Sequence, residues 1–348
     1  MKRTIYHSLS VLFLGLALGA CGGMRYLTIE TQEPAKVTLP GNVRSVLIVN
    51  NTVQQPDNMG HLAQQSWQQK PTAVSVSTDS TAVYYTEALA QFLGEEEYFD
   101  DVAYYKEPLR NDTLYWEQVP IMPEEMKRLR NESGADALIS LDKFLFATAK
   151  KQLFVQEGLR FAEMMGKAQV VLRIYQPSMD GQIPIVQYID SLRWEGYDLK
   201  GMHDEYFLPS EKDMMKELAV HAAERACNAL APHWKTQDRW LYELPNKLMH
   251  KGMEFAEKAD WANAIDKWTQ FFNGQKNKLN KAKTASNIAL AYEMQGDMAK
   301  ANEWVSSAYD LFSQSATKSS FDMRRITLYK LEIERRVGNE ALLSKQIH

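Results

Sequence analysis

An internal repeat in the second half of the chain constrains its fold more than any other feature. Ala259-Asp260-Trp261-Ala262-Asn263-Ala264-Ile265-Asp266 aligns with Gly296-Asp297-Met298-Ala299-Lys300-Ala301-Asn302-Glu303 at an offset of 37 residues. The same offset carries Gly252 onto Ala289 and Phe255 onto Tyr292. A fixed period of this size marks stacked units, each burying its apolar face only against a neighbour. Apolar residues recur at helical spacing from Asn246 onward, interrupted by polar turns. Paired α-helices are therefore predicted, with small residues at Gly252, Ala264, Ala289 and Ala301 allowing close approach. Phe255, Trp268, Tyr292 and Val305 fill the space between pairs. Arrays of this kind need about three units, and a worn third unit is expected over Met323 to Leu343, turning at Val337-Gly338-Asn339.

These residues resemble the tetratricopeptide repeat, whose usual period is about 34 residues. The three extra residues fit within Asn273 to Asn280. The resemblance implies a concave groove lined by the first helix of each pair. By position, the lining comprises Asn246, Met249, Met253 and Glu257 from the first unit, and Lys283, Ser286, Leu290, Glu293 and Met294 from the second. Methionines adapt to varied ligands, so an extended peptide or partner segment suits such a surface. Packing of these residues against the first half of the chain is the competing explanation, and a generic helical bundle is the plainer alternative to repeats.

Charge separates the two halves. From Cys21 to Leu244 there are 22 basic and 32 acidic residues, and from Pro245 onward 16 basic and 12 acidic. The change of sign supports a boundary near Pro245. It argues against nucleic acid as a partner, because the acidic half lacks an electrostatic footprint and the basic excess of the other half is interleaved with acids. With 348 residues, 45% of them hydrophobic, the chain has material for two cores.

The first half reads as an α/β domain over residues 43–240, a mixed sheet with helices against one face. Val43 to Asn50 is a short β-branched strand, and Asn51 to Lys70 is a polar loop. Asp79-Ser80 caps a helix that runs to about Leu93. Val102 to Tyr105 is a strand, and Pro123-Glu124-Glu125 opens a helix that closes at Gly134. Ala135 to Phe146, Gln152 to Val155, Ala168 to Tyr175 and Ile183 to Trp194 are strands, with a hairpin turn at Asp180-Gly181. Phe161 to Met165 reads as an apolar lid or contact rather than a copper site. Ser210 caps a long helix that Pro232 ends. The strand Val46 to Val49, the helix end Phe92-Leu93 and the phrase Gly134-Ala135-Asp136-Ala137-Leu138-Ile139 resemble the compact α/β domain of several cell-envelope lipoproteins and of the Tol-system propeller protein. That resemblance implies assembly or docking in the envelope.

At the N-terminus, Met1-Lys2-Arg3 supplies positive charge, Leu9 to Leu18 an apolar run too short to span a bilayer, and Gly19-Ala20 a small-residue site. Leu18-Gly19-Ala20-Cys21 resembles the lipobox of bacterial lipoproteins. The resemblance implies a signal peptide over 1–20, lipidation of Cys21 and a lipidated tether over 21–42. An ordinary signal peptide or an uncleaved anchor is the alternative. Gly22 stands where aspartate marks inner-membrane retention in some bacteria, which favours the outer membrane with the body facing the periplasm. Cys227 is then left without a partner for a disulfide, and its helical surroundings suggest a buried thiol. The whole pattern resembles a family of uncharacterised envelope lipoproteins with C-terminal tetratricopeptide-like repeats.

Motifs for chemistry are sparse. The chain contains no Gly-rich phosphate loop ending in Lys-Ser/Thr, no His-Glu-x-x-His, no Gly-x-Ser-x-Gly and no Cys-x-x-Cys. His221 and Glu224 share a helix turn without a third ligand. The expectation is a non-enzymatic, lipid-anchored scaffold that uses no cofactor and holds an envelope protein or peptide segment on its repeats. The alternatives are a hydrolase or carbohydrate-binding lipoprotein, with Glu157, Glu163 and Asp190 as candidate acids, and a self-assembling envelope lipoprotein.

Overall fold

The computed structural model describes residues 23–156, 159–176, 183–198, 208–315 and 320–347. Cys21, Glu157 and the turn at Asp180-Gly181 lie outside them. The elements run β1 (Met24–Glu33), β2 (Ser45–Asn50), β3 (His61–Gln64), β4 (Thr72–Ala73), α1 (Thr81–Glu95), β5 (Asp101–Tyr105), α2 (Pro123–Ser133), β6 (Ala137–Gln156), β7 (Leu159–Tyr175), β8 (Ile185–Asp198), α3 (Glu211–Leu230) and β9 (His233–Tyr242). Five helices follow: α4 (Lys247–Ala256), α5 (Trp261–Gly274), α6 (Lys278–Met294), α7 (Met298–Ser315) and α8 (Phe321–Gln346). A region of mixed sheet and helices is thus succeeded by a run of helices, as expected from the sequence.

The chain divides into two compact units, one of Ala35–Pro232 and one joining the residues before Ala35 to His233–Ile347. This moves the boundary expected near Pro245, because the stretch read as a tether contains β1. That strand pairs antiparallel with β9 from Met24↔Tyr242 to Glu33↔His233. Pro34 and Pro232, neither of which has an amide hydrogen to donate, stand just beyond the last pair.

In the first of these units, β2 lies between β5 and β6, parallel to both, and β6 continues past β2 to pair with β3. The runs Ala135 to Phe146 and Gln152 to Val155 are parts of one 20-residue strand. The expected lid Phe161 to Met165 is the start of β7, and the expected loop Asn51 to Lys70 contains β3. The Gln55 side chain fixes that loop by mimicking a strand partner, donating to the Phe146 carbonyl at 2.9 Å and accepting from the Phe146 amide at 2.8 Å. The phrase Gly134-Ala135-Asp136 also has a structural role. Gly134 ends α2 at φ +72°, and the Asp136 carboxylate accepts from the Arg44 and Ser45 amides at 2.9 Å, joining the start of β6 to that of β2.

Strand alternation sends Val46, Ile48, Ile139, Leu172 and Ile174 into a core with α1 and α3, and Leu47, Val49, Leu138 and Tyr175 into a second core with α2. Helices therefore cover both faces of the sheet, not one. Gly166 on β7 leaves room for α3, since a β-carbon there would lie 2.7 Å from Met214 Sδ and 3.0 Å from Leu218 Cδ2.

In the helical unit, consecutive helices from α4 to α8 pack on one another. Gly252, Ala264, Ala289 and Ala301 are all buried, and a β-carbon on Gly252 would overlap the Trp268 ring. α6 is buried at every position from Thr284 to Ala291, the pattern of a helix enclosed by neighbours. The expected turn at Val337-Gly338-Asn339 is absent, because α8 runs unbroken through it.

Cys227 is enclosed in the core beneath α3. Burial pushes its thiol up to about 12, helped by Glu96 and Glu224. Native protein at pH 8 is accordingly expected to leave this thiol unlabelled by a thiol reagent over hours, with full labelling in denaturant. Rapid labelling of the folded protein would show that the core opens here.

Candidate functional site

The residues expected to line a groove are distributed between the core and the surface of the helical unit. Asn246 accepts from the Leu248 amide at 2.8 Å as the α4 N-cap. Met249, Met253 and Leu290 are buried in one cluster with Trp261, Trp268 and Leu241. Ser286 is buried and its hydroxyl has no hydrogen-bond partner. Met294 is half-buried against the same cluster. Glu257 is exposed and pairs with Arg25. With Met253 at 4% exposure and Leu290 at 1%, these positions belong to the core of the helical unit and do not line an open surface.

β9 lies along this face of α6. The Lys283 ammonium sits 5.4 Å from the centre of the Tyr242 ring. The Tyr242 amide donates to Asn287 Oδ1 at 2.7 Å, and Asn287 Nδ2 donates to the Tyr242 carbonyl at 2.8 Å. One asparagine side chain thus substitutes for a neighbouring strand. Nearly two turns on, Glu293 meets Arg239. The chain's own ribbon covers this face of α6.

Glu293 is the centre of a buried ionic cluster. Arg239 grips its carboxylate bidentately, Nη2 to Oε1 at 2.8 Å and Nε to Oε2 at 3.0 Å. The Tyr329 hydroxyl donates to Oε2 at 2.7 Å, and Arg336 donates to Oε1. The Arg239 guanidinium also lies 5.1 Å from the Tyr329 ring centre. A second layer adjoins it. Burial opposes ionisation of Glu332, yet hydrogen bonds from Arg335 and Gln237 hold its carboxyl down to about 2, and Arg335 also reaches Glu33 on β1. Every strong group of the cluster is matched, so its chemistry is cohesive rather than reactive.

Glu163 and Asp190, the two described acids among those singled out in the other unit, are likewise engaged. Glu163 pairs with Lys151 and Arg193. Asp190 Oδ1 accepts from the Ser191 amide at 2.9 Å, and Arg225 Nη1 donates to the Ile189 carbonyl at 2.9 Å. Residues two apart on a strand present their backbone groups to the same edge, and β8 pairs with β7 alone among the described residues. Asp190 and Arg225 therefore cap the free edge of the sheet, a common protection of edge strands. His221 Nδ1 lies 3.0 Å from Asp190 Oδ2, so its partner is Asp190 and not Glu224. No group of three or more His, Cys, Asp or Glu that would hold a metal occurs among the described residues.

Sequence reasoning missed a further buried network where β6 bulges after Leu141. Asp142 accepts from Ser140 Oγ at 2.6 Å and Asn51 Nδ2 at 3.1 Å, with Arg173 Nη1 3.1 Å from its other oxygen. Burial raises its carboxyl pKa, and the hydrogen bonds and Arg173 oppose that shift. The available signal was an aspartate inside an otherwise apolar strand, Leu138-Ile139-Ser140-Leu141-Asp142.

Replacing Glu293 with glutamine strands two arginines around a neutral amide. The expected loss in unfolding free energy is about 3–5 kcal/mol, the range for breaking a buried pair from one side, measured by urea denaturation at pH 7. Tyr329 gives a separate alkaline signature. Burial, then the neighbouring Glu293 carboxylate, raises its pKa well above 10.0. The unfolded chain ionises first, so this stabilisation is intact below pH 10 and declines above it; Tyr329→Phe should flatten that decline.

Comparison with known proteins places these features. A domain of unknown function, DUF8603, matches residues 43–242, and a second, DUF6340, matches residues 250–335. No curated protein matches the chain. Among solved structures, a minor lipoprotein from Acinetobacter baumannii aligns over 56% of this chain and 98% of its own, at 10% identity and a TM-score of 0.27. That similarity is too slight to carry an argument. The first match spans more than half of the 348 residues, and the chain belongs to the DUF8603 family.

Proposed function

We propose that this protein is a lipid-anchored, non-enzymatic scaffold of the cell envelope, whose helices form a tetratricopeptide-like array and hold an envelope protein or peptide segment. The position of β1 carries this reading. Only Gly22 and Gly23 separate Cys21 from Met24, the first residue of the β1–β9 ladder. Three residues reach at most about 10 Å, so a lipid on Cys21 holds the ladder, and the helices packed on it, against the membrane surface. The Gly23 carbonyl is already fixed, accepting from the Glu243 amide at 2.7 Å, and Arg25 pairs with Glu243 and Glu257. A scaffold presented at fixed height is served by such a short connection, whereas an enzyme seeking distant substrate gains from a long one.

The non-enzymatic part of the reading rests on the engagement of the candidate acids in edge capping and sheet ion pairs. Gly22 after the cysteine supports outer-membrane delivery with a periplasmic body. No helix among the described residues is long and apolar enough to cross a membrane, which leaves the lipid as the anchor in this scheme.

Labelling cells with a palmitate analogue should tag the native protein and not Cys21→Ala, which should leave the membrane fraction. Lengthening the connection by twelve Gly/Ser residues between Gly22 and Gly23 should preserve fractionation while reducing recovery of an envelope partner in crosslinking by several-fold. Retention of Cys21→Ala in the membrane would defeat the anchor, and unchanged crosslinking after lengthening would defeat the scaffold held at fixed height.

A further inference from the structure

The start of β1 lies beside one particular end of the helical unit. Met24, three residues after Cys21, pairs with Tyr242, and its sulfur lies 3.0 Å from Arg325 Nη1. The Tyr242 hydroxyl donates to Asp322 at 3.0 Å. The first turn of α8 therefore stands next to Met24. The first turns of α6 and the last turn of α7 share this end, since Lys283 lies 3.9 Å from Asp322 and Lys278 donates to Gln314 at 3.0 Å. A group carried by Cys21 is thus held at this end, no more than about 10 Å from Met24.

The surface there is aromatic and basic. Phe321 is 72% and Tyr26 55% exposed. The Arg325 guanidinium meets both rings, 4.9 Å from the centre of Phe321 and 5.7 Å from that of Tyr26, and donates to the Tyr26 hydroxyl at 2.7 Å. Lys276, Lys278 and Arg324 are exposed on the same turns. Of the neighbouring acids, Asp322 is engaged by Tyr242 and Lys283, and Glu243 by Arg25, which leaves Asp310 exposed against those three cations. Amphipathic rings settle at the headgroup level of a bilayer, and basic side chains there are drawn to anionic lipid.

We infer that this end of the helical unit docks on the leaflet that holds the lipid, with Tyr26 and Phe321 at headgroup level and Arg324, Arg325 and Lys278 on the phosphates of anionic phospholipid. The inference rests on the lipid anchor proposed above and adds to it the docking surface and the class of lipid. The short connection selects this occupant. A folded protein partner has no room in the roughly 10 Å between Met24 and the acylated residue, whereas the bilayer is already there. Acyl chains on one residue fix only a point, about which the unit could swing. A basic and aromatic contact beside that point is the second signal that makes membrane attachment stable, and it sets which face of the array looks away from the membrane.

Fluorescence quenching of the full lipidated protein in vesicles reads the contact. A fluorophore on Phe321→Cys labels one site, because Cys21 is acylated in this scheme and Cys227 is buried. In phosphatidylglycerol vesicles carrying a nitroxide at headgroup level, this label should be quenched several-fold more than one on Glu340→Cys, about 28 Å away along α8. Arg324→Glu with Lys278→Glu, both at exposed positions, should cut the quenching at position 321 at least about twofold with unchanged circular dichroism and flotation, since each basic residue beside an anionic surface is worth roughly a fivefold factor. Equal quenching at the two positions, or quenching indifferent to the charge reversal, in protein that floats with the vesicles would overturn the docking and leave the anchor standing. Protein that fails to float would remove the anchor and the docking together. In cells, a photocrosslinker at position 321 that captures a second copy or another protein rather than lipid would also overturn the inference.

Discussion

The grip of Arg239 on Glu293 is the interaction on which the helical unit depends. A two-stranded ribbon is marginal in water by itself, and β1–β9 persists because one end of it is sealed onto α6. The arginine delivers a charge into a site where neither group would survive alone, and Tyr329 and Arg336 complete the carboxylate's coordination. Well-packed apolar residues often match or exceed the stability of such a cluster. Its advantage is directional, because a bidentate grip accepts one register. Asn287 repeats the logic without charge, reading the Tyr242 amide and carbonyl together. A slip of one residue along β9 would break both at once.

The sheet unit solves a different problem by similar means. The 14-residue strand β8 pairs with β7 alone among the described residues, which leaves a lengthy edge there. Exposed edges recruit other strands. Capping Ile189 and Ser191 with Arg225 and Asp190 blocks that pairing, and α3, whose residue supplies the arginine, is brought close by the missing side chain at Gly166. Asp190, a candidate acid in the sequence, thereby takes part in closing the edge of the sheet.

What was legible in the sequence is local. Ser210 with Asp213, Pro123 with Gly134 and the 37-residue offset report their helices directly, because caps and periodicity act over a few residues. β2 was legible because it is short, β-branched and buried on both faces. The failures share a cause. β1 is polar and half-exposed, and only its partner more than two hundred residues away makes it a strand. β6 was divided by Lys150 and Lys151, polar positions that a strand tolerates where pairing on both sides supports it. The turn at Gly338 was inferred from a glycine, yet a helix interior loses only about 1 kcal/mol to that residue, less than the packing of Ile333 and Val337 supplies. The covering of α6 by β9 was not legible either, since β9 carries no periodic signal of its own.

The contact of β9 with α6 closes that face of the helix. A face covered by its own chain cannot admit an extended peptide without breaking the Glu293 cluster, and removing one side of that cluster costs more than most transient peptides gain on binding. Large apolar side chains remain exposed elsewhere on the unit: Tyr26 and Trp234 on the ribbon, and Phe321, Leu328 and Leu331 on α8. The same ribbon begins three residues after Cys21. Covering α6 therefore does two things at once in the proposed scheme, since the segment that closes this face of the helical unit is also the segment that would fasten it to the membrane. A unit with that face uncovered would need a separate tether, and the helices would then hang from it at a variable distance.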